Sequence, residues 1–143
     1  PAGLGPGVSA LLPASDHALV VTTPDDVAMR DAERAIALTE AAGLPRPMLV
    51  VNRVRPDMVA RGEMYSPQAV ASTLDVPLLG YVPEDRAVLA AAARHESFMD
   101  TEGPAKQAME RIAQRFLGEF VPMPTMERKL HWWQRGRNVG IGV

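Results

Sequence analysis

The stretch HALVVTTPDD, residues 17–26, decides the fold. His17 through Thr23 is a short, β-branched, continuously apolar run, the pattern of a strand covered on both faces in a parallel sheet. Thr23-Pro24-Asp25-Asp26 then reads as a helix start. Thr23 can cap, Pro24 suits the first helical position, and Asp26 stands where a capping-box carboxylate reaches back. The predicted helix runs to Gly43, with Ala28, Ala32, Ala35, Ile36 and Thr39 on one face at helical spacing. Such a small-residue face lets a helix lie close on a sheet.

The same alternation repeats down the chain. PMLVVN (residues 47–52) is a second strand. The loop RVRPDMVARGEMYS (53–66) leads to a short helix from Pro67 to Leu74, capped by Ser66. VPLLGYV (76–82) is a third strand and ends in Pro83-Glu84-Asp85. A helix from Arg86 to Arg94 follows. The last predicted helix, Pro104 to Leu117, turns Ala105, Met109, Ile112 and Phe116 inward and stops at Gly118. Strands alternating with helices define an α/β fold with a parallel sheet. Three strands make a thin sheet, and one edge is expected to want another strand, as half of a larger fold would.

At 143 residues the chain has the size of one domain. It is 47% apolar and 22% charged, the balance of an ordinary globular protein. Cysteine is absent, which excludes disulfides and thiolate metal sites. His17, His95 and His131 show no ligand spacing, so no metal site is expected. The net charge of −2 is unevenly spread, because residues 126–137 carry Arg128, Lys129, Arg135 and Arg137 against Glu127 alone. An acidic body therefore carries a basic, tryptophan-bearing tail.

In open α/β sheets ligands bind beyond the carboxyl ends of the strands. Three loops qualify: Thr22-Thr23-Pro24, Asn52-Arg53 and Pro83-Glu84-Asp85. An amide such as that of Asn52 can read the donor–acceptor edge of a purine, or can simply close a turn on its own backbone. Glu84 and Asp85 are adjacent carboxylates at a helix start, a place that attracts acids without any catalytic role. Gly3, Gly5 and Gly7 lack the strand and helix that a dinucleotide fingerprint needs, and Ser66 and Ser72 lack a nucleophile elbow. The sequence holds no G-x-x-x-x-G-K-[ST] phosphate loop. No catalytic residue is assigned. In the tail, Met126, Leu130 and Trp133 would share one side of a helix with Trp132 beside them. That is the pattern of a basic amphipathic segment in a membrane interface, and equally of a solvated basic tail or of tryptophans folded back onto the body.

Read in order, these residues resemble the C-terminal half of the ParA/MinD family of deviant Walker A ATPases, in its septum-site-determining branch. Pro1-Ala2-Gly3 is similar to the end of that family's Asp-Ser-Pro-Ala-Gly switch II segment. ALVVTTPDDVAMRDAERAI resembles its next strand and helix, and VVNRVRPDMVARGEMYSPQAV its Arg-Gly-(Asp/Glu)-Met core. PLLGYVPEDRAVLAAAARHESFMD is similar to its Leu-x-Gly-x-(Val/Ile)-Pro-Glu-Asp stretch.

The resemblance implies the C-terminal half of a P-loop NTPase-like three-layer fold over residues 1–120, and a tail, 121–143, with a membrane-targeting helix. It implies ATP or ADP with Mg2+ in the full-length parent, whose base is read by Asn52, Arg53, Pro83, Glu84 and Asp85. The phosphate cradle and switch regions would lie upstream, so this chain alone is expected to bind no nucleotide tightly and not to hydrolyse ATP. Partner contacts fall to Arg30, Asp31, Glu33 and Arg34, facing MinC-like and MinE-like proteins, with an ATP-dependent homodimer in the parent. The tail residues Arg128, Lys129, Leu130, Trp132 and Trp133 would meet an anionic inner membrane, giving a cytoplasmic, peripherally attached protein. The tail LHWWQRGRNVGIGV departs from the family's Phe-Leu-x-x-Leu-Phe-Gly ending. Two other readings stand beside this one: a DNA-partition or flagellar-number ATPase of the same group, and a docking module independent of nucleotide. The acidic body speaks against a nucleic-acid partner.

Overall fold

A computed structural model describes residues 5–124 of the chain. Its strands are β1 (Leu19–Thr22), β2 (Met48–Val54) and β3 (Leu78–Pro83). They form one parallel sheet in the order β1-β2-β3, with Leu19 beside Met48 and Leu49 beside Leu78. The helices are α1 (Pro6–Leu11), α2 (Asp26–Ala41), α3 (Pro56–Arg61), α4 (Pro67–Leu74), α5 (Arg86–Ala93) and α6 (Pro104–Phe116).

Helices cover both faces because the strands are apolar on both. On one face Val20, Leu49, Val51 and Val54 pack against Met29, Ala32 and Ile36 of α2 and Val70 and Ala71 of α4. On the other, Val50, Leu79 and Val82 pack against Ala105, Ala108 and Ile112 of α6. Leu49, Val51, Val54 and Val70 are fully buried, and each contributes about 1.5–3 kcal/mol by leaving water. The parallel α/β architecture read from the sequence is the one observed.

Five local expectations are corrected. The cap of α2 is Asp25, whose carboxylate accepts from Ala28 N at 3.0 Å, while Thr23 donates to that same carboxylate. Pro24 precedes the Asp25 cap and the helix begins at Asp26, so it does not occupy the first turn. The 53–66 loop contains α3, which Gly62 ends in the left-handed region at φ 75°. On α6 the buried stripe is Ala105, Ala108 and Ile112; Met109 and Phe116 stand off to its exposed side. Finally, β1 is covered on one face only: Val20 and Thr22 are buried, but Leu19 is 44% and Val21 58% exposed. Among the described residues the outer edge of β1 has no strand beside it.

Candidate functional site

The carboxyl ends of β2 and β3 converge with α5 and α6 on a slot of about 350 Å³. Its walls are apolar, with Val21, Val50, Val82, Val88, Leu89 and Phe98 among them. Asn52, Arg53, Pro83, Glu84 and Asp85 all border it, so the structure brings together the five residues that the sequence assigned to one site.

The route of the chain explains the mouth of the slot. Asn52 does not close its strand: β2 continues to Val54 through an irregularity between Val51 and Val54. Arg53 there adopts φ 56°, a left-handed conformation uncommon for a side-chain-bearing residue and typical of constrained sites. The Asn52 Oδ1 accepts from Arg53 N at 2.9 Å and stabilises that turn. The amide nitrogen remains as the side chain's donor. Asn52 thus closes its own turn with one lone pair of its oxygen, and its amide nitrogen is not used in that turn.

Neighbouring charges hold one another. The Glu84 carboxylate pairs with Arg53 at 3.0 Å and with Arg55 at 3.7 Å, and Glu84 N donates to Val54 O at 2.9 Å. These bonds tie the β2 turn to the β3 turn; the ion pairs themselves are exposed and contribute little alone. Asp85 is the cap of α5, with Oδ1 accepting from Ala87 N at 2.9 Å. Its other oxygen accepts from Ala105 N at 3.2 Å, in α6. Neither acid points its carboxylate at a substrate as a catalytic pair would.

The slot suits the flat apolar faces of a heterocyclic base, with Asn52 as a donor at its rim. Among the described residues no cluster of three or more His, Asp or Glu side chains could hold a metal ion.

Arg30, Asp31, Glu33 and Arg34 are all exposed on the outer side of α2. Asp31 and Arg34 pair at 3.3 Å, an exposed i,i+3 pair. The distinctive Arg61-Gly62-Glu63-Met64 run has a structural explanation. Arg61 pairs with Glu63 at 2.8 Å and Asp57 at 3.2 Å, Gly62 makes the left-handed turn, and Tyr65 donates to Asp26 at the start of α2. The tail residues Arg128, Lys129, Leu130, Trp132 and Trp133 lie outside the described residues. No described helix is long and apolar enough to cross a membrane.

Sequence reasoning missed the apolar walls and Gly103. Nothing in a run such as LVVT separates a residue lining a slot from one in the core. Gly103, ahead of α6, carries no motif, yet it lies where a Cβ would meet Asp85.

A parallel sheet with a ligand slot beyond its carboxyl ends is the arrangement of nucleotide-binding α/β proteins. A family model described as ParA, NUBPL iron-transfer P-loop NTPase, matches residues 7–117, and the chain belongs to the ParA/MinD family of P-loop NTPases. It is 40% identical over 136 residues to a putative septum site-determining protein MinD of Nephroselmis olivacea, covering 93% of this chain and 48% of that one. The septum site-determining protein MinD of Bacillus subtilis is 37% identical over 131 residues, covering 90% and 49%. Among solved structures, the MinD cell division protein of Aquifex aeolicus superposes with a TM-score of 0.81 at 32% identity, covering 87% of this chain and 53% of that one. The same TM-score holds against an Aquifex aeolicus MinC:MinD complex. The chain spans about half the length of the curated relatives it matches.

Proposed function

We propose that this chain is the base-recognising and partner-docking portion of a MinD-like ATPase that selects the division septum site. The observation that carries the reading is the apolar slot beyond β2 and β3, with the Asn52 amide at its rim. In the protein to which this portion belongs, ATP with Mg2+ brings two copies together and hydrolysis releases them. Residues 1–120 belong to the ATPase domain. Residues 121–143 attach it to an anionic inner membrane through Arg128, Lys129, Leu130, Trp132 and Trp133. Arg30, Asp31, Glu33 and Arg34 meet MinC-like and MinE-like proteins, a reading supported for MinC by the MinC:MinD complex among the structural relatives.

Phosphoryl transfer depends on a phosphate cradle and on stabilisation of the developing charge. The 143 residues hold no G-x-x-x-x-G-K-[ST] loop, so the polypeptide by itself does not hydrolyse ATP. The test replaces Asn52 by Asp, which keeps an acceptor for Arg53 N and removes the donor. ATP affinity of the protein carrying this chain should fall about tenfold, the scale of one lost hydrogen bond beside a new charge. Unchanged ATP affinity would refute the base assignment. Capture of a MinC-like partner that is equally strong with and without ATP would favour a nucleotide-independent docking module instead.

A further inference from the structure

Asp85 does more than cap the helix it begins. A cap on α5 needs one carboxylate oxygen, and Oδ1 supplies it to Ala87 N. Oδ2 reaches into the start of α6, accepting from Ala105 N, 20 residues along the chain. That helix, α6, has Gly103 at its cap position and no capping side chain of its own. Two positive helix ends therefore share one carboxylate. Gly103 is extended there, a conformation open to any residue, so its requirement is steric. A Cβ at 103 would lie 2.6 Å from Asp85 Oδ2. The two helices so joined supply Val88 and Leu89 from α5 and Met109 and Ile112 from α6 to the walls of the slot.

We propose that Asp85 is a positioning residue of the base slot, whose carboxylate ties the starts of α5 and α6 and sets the width between them. It makes no contact with the ligand itself, and Gly103 is the glycine that admits it. This inference rests on the adenine-site reading. It adds to that reading which residue holds the walls apart.

The experiment compares Asp85→Ala, Asp85→Asn and Gly103→Ala with Ser66→Ala in the protein carrying this chain. Ser66 caps α4 by accepting from Ala69 N at 3.1 Å, and α4 packs on the opposite face of the sheet, so its loss is a destabilisation remote from the slot. Two readouts are taken: deuterium uptake at the first turns of α5 and α6, and ATP affinity. Asp85→Ala should speed uptake at both turns by roughly fivefold, the scale of a lost cap. Asp85→Asn, which keeps one accepting oxygen, should do so at one turn, and Gly103→Ala at α6. All three should weaken ATP binding by at least about fivefold, while Ser66→Ala leaves it unchanged. Unaltered uptake at α6 in Asp85→Ala would overturn the tie. An equal loss of affinity in Ser66→Ala would overturn the positioning role. A wild-type protein that binds no ATP would sink the adenine reading and the positioning role together, and uptake alone would then decide the helix tie.

Discussion

Gly80 of β3 lies close against Ile112 of α6, and replacing it by Ala should open that interface. A Cβ at position 80 would lie 2.4 Å from Ile112 Cγ1, 3.1 Å from Ile112 Cδ1 and 3.2 Å from an Arg115 nitrogen. Carbon atoms pack at about 3.5–4.0 Å, so the first contact is too close by about 1 Å. Ile112 is only 5% exposed, and the offending atom sits next to its backbone, not at a flexible tip. Arg115 is held too: its guanidinium donates to the carbonyls of Leu79, Val121 and Pro122. The helix itself has to move. Overpacking of this kind costs about 1–3 kcal/mol, and we expect the upper end. Ile112→Ala alone should cost about 3–4 kcal/mol in transfer and cavity terms. In the double variant the methyl at 80 enters space that Ile112 vacates, so the two losses should fall short of additivity by about 1–2 kcal/mol. Urea unfolding followed by circular dichroism measures all three, with the slope checked for constancy. Losses that add to within about 0.5 kcal/mol would refute the close approach of α6 to Gly80.

Asp25→Ala should destabilise the chain by about 1 kcal/mol at neutral pH, the usual cost of a lost cap. The hydrogen bond from Thr23, and after it that from Ala28, holds the Asp25 carboxyl below its ordinary value. Its contribution is therefore complete above the unfolded aspartate value of about 3.9 and is lost as pH falls through the lower folded value. The gap between wild type and variant should close on acidification, and a gap that widened instead would contradict the cap. Val21→Thr, on the open face of β1, should change stability by less than about 0.5 kcal/mol, whereas Val51→Thr should cost about 1–3 kcal/mol. Thermal melts of the two variants decide this, and equal losses would mean that the outer face of β1 is not open.

The sequence carried the architecture because its apolar runs change period so cleanly. PMLVVN and VPLLGYV are too short and too continuous for helices, and the Ala-rich segment after Asp26 is too long for a strand. What it could not carry was position within a motif. Thr23 and Asp25 are both good caps, and residue type does not say which one Ala28 N will bond; in the structure it is Asp25. Met109 and Ala108 are neighbours on α6, and the buried one is the smaller, because Ala108 and not Met109 falls on the stripe with Ala105 and Ile112 that faces the sheet. The both-faces expectation for β1 failed for a similar reason. Leu19 and Val21 are as apolar as Val20, but α6 packs on β2 and β3, so Leu19 and Val21 border the slot and stay largely exposed.

The same limit governs the site. The rule that ligands gather beyond strand ends named loops that the structure brings around one slot, yet residue type says nothing about where a polar atom is already bonded. Glu84 is held by Arg53 and Arg55, both oxygens of Asp85 by two helices, and the Asn52 oxygen by its own turn. Of the acidic and amide groups assigned to the slot from the sequence, the Asn52 nitrogen has no described hydrogen-bond partner, and it borders apolar walls. Such a slot holds a base mainly by shape and dispersion, with one donor to orient it. Its precision then depends on how rigidly the walls stand. On the proposed reading, the polar residues that border it would serve recognition by holding those walls, through the bonds of Glu84 to Arg53 and Arg55 and of Asp85 to the starts of α5 and α6.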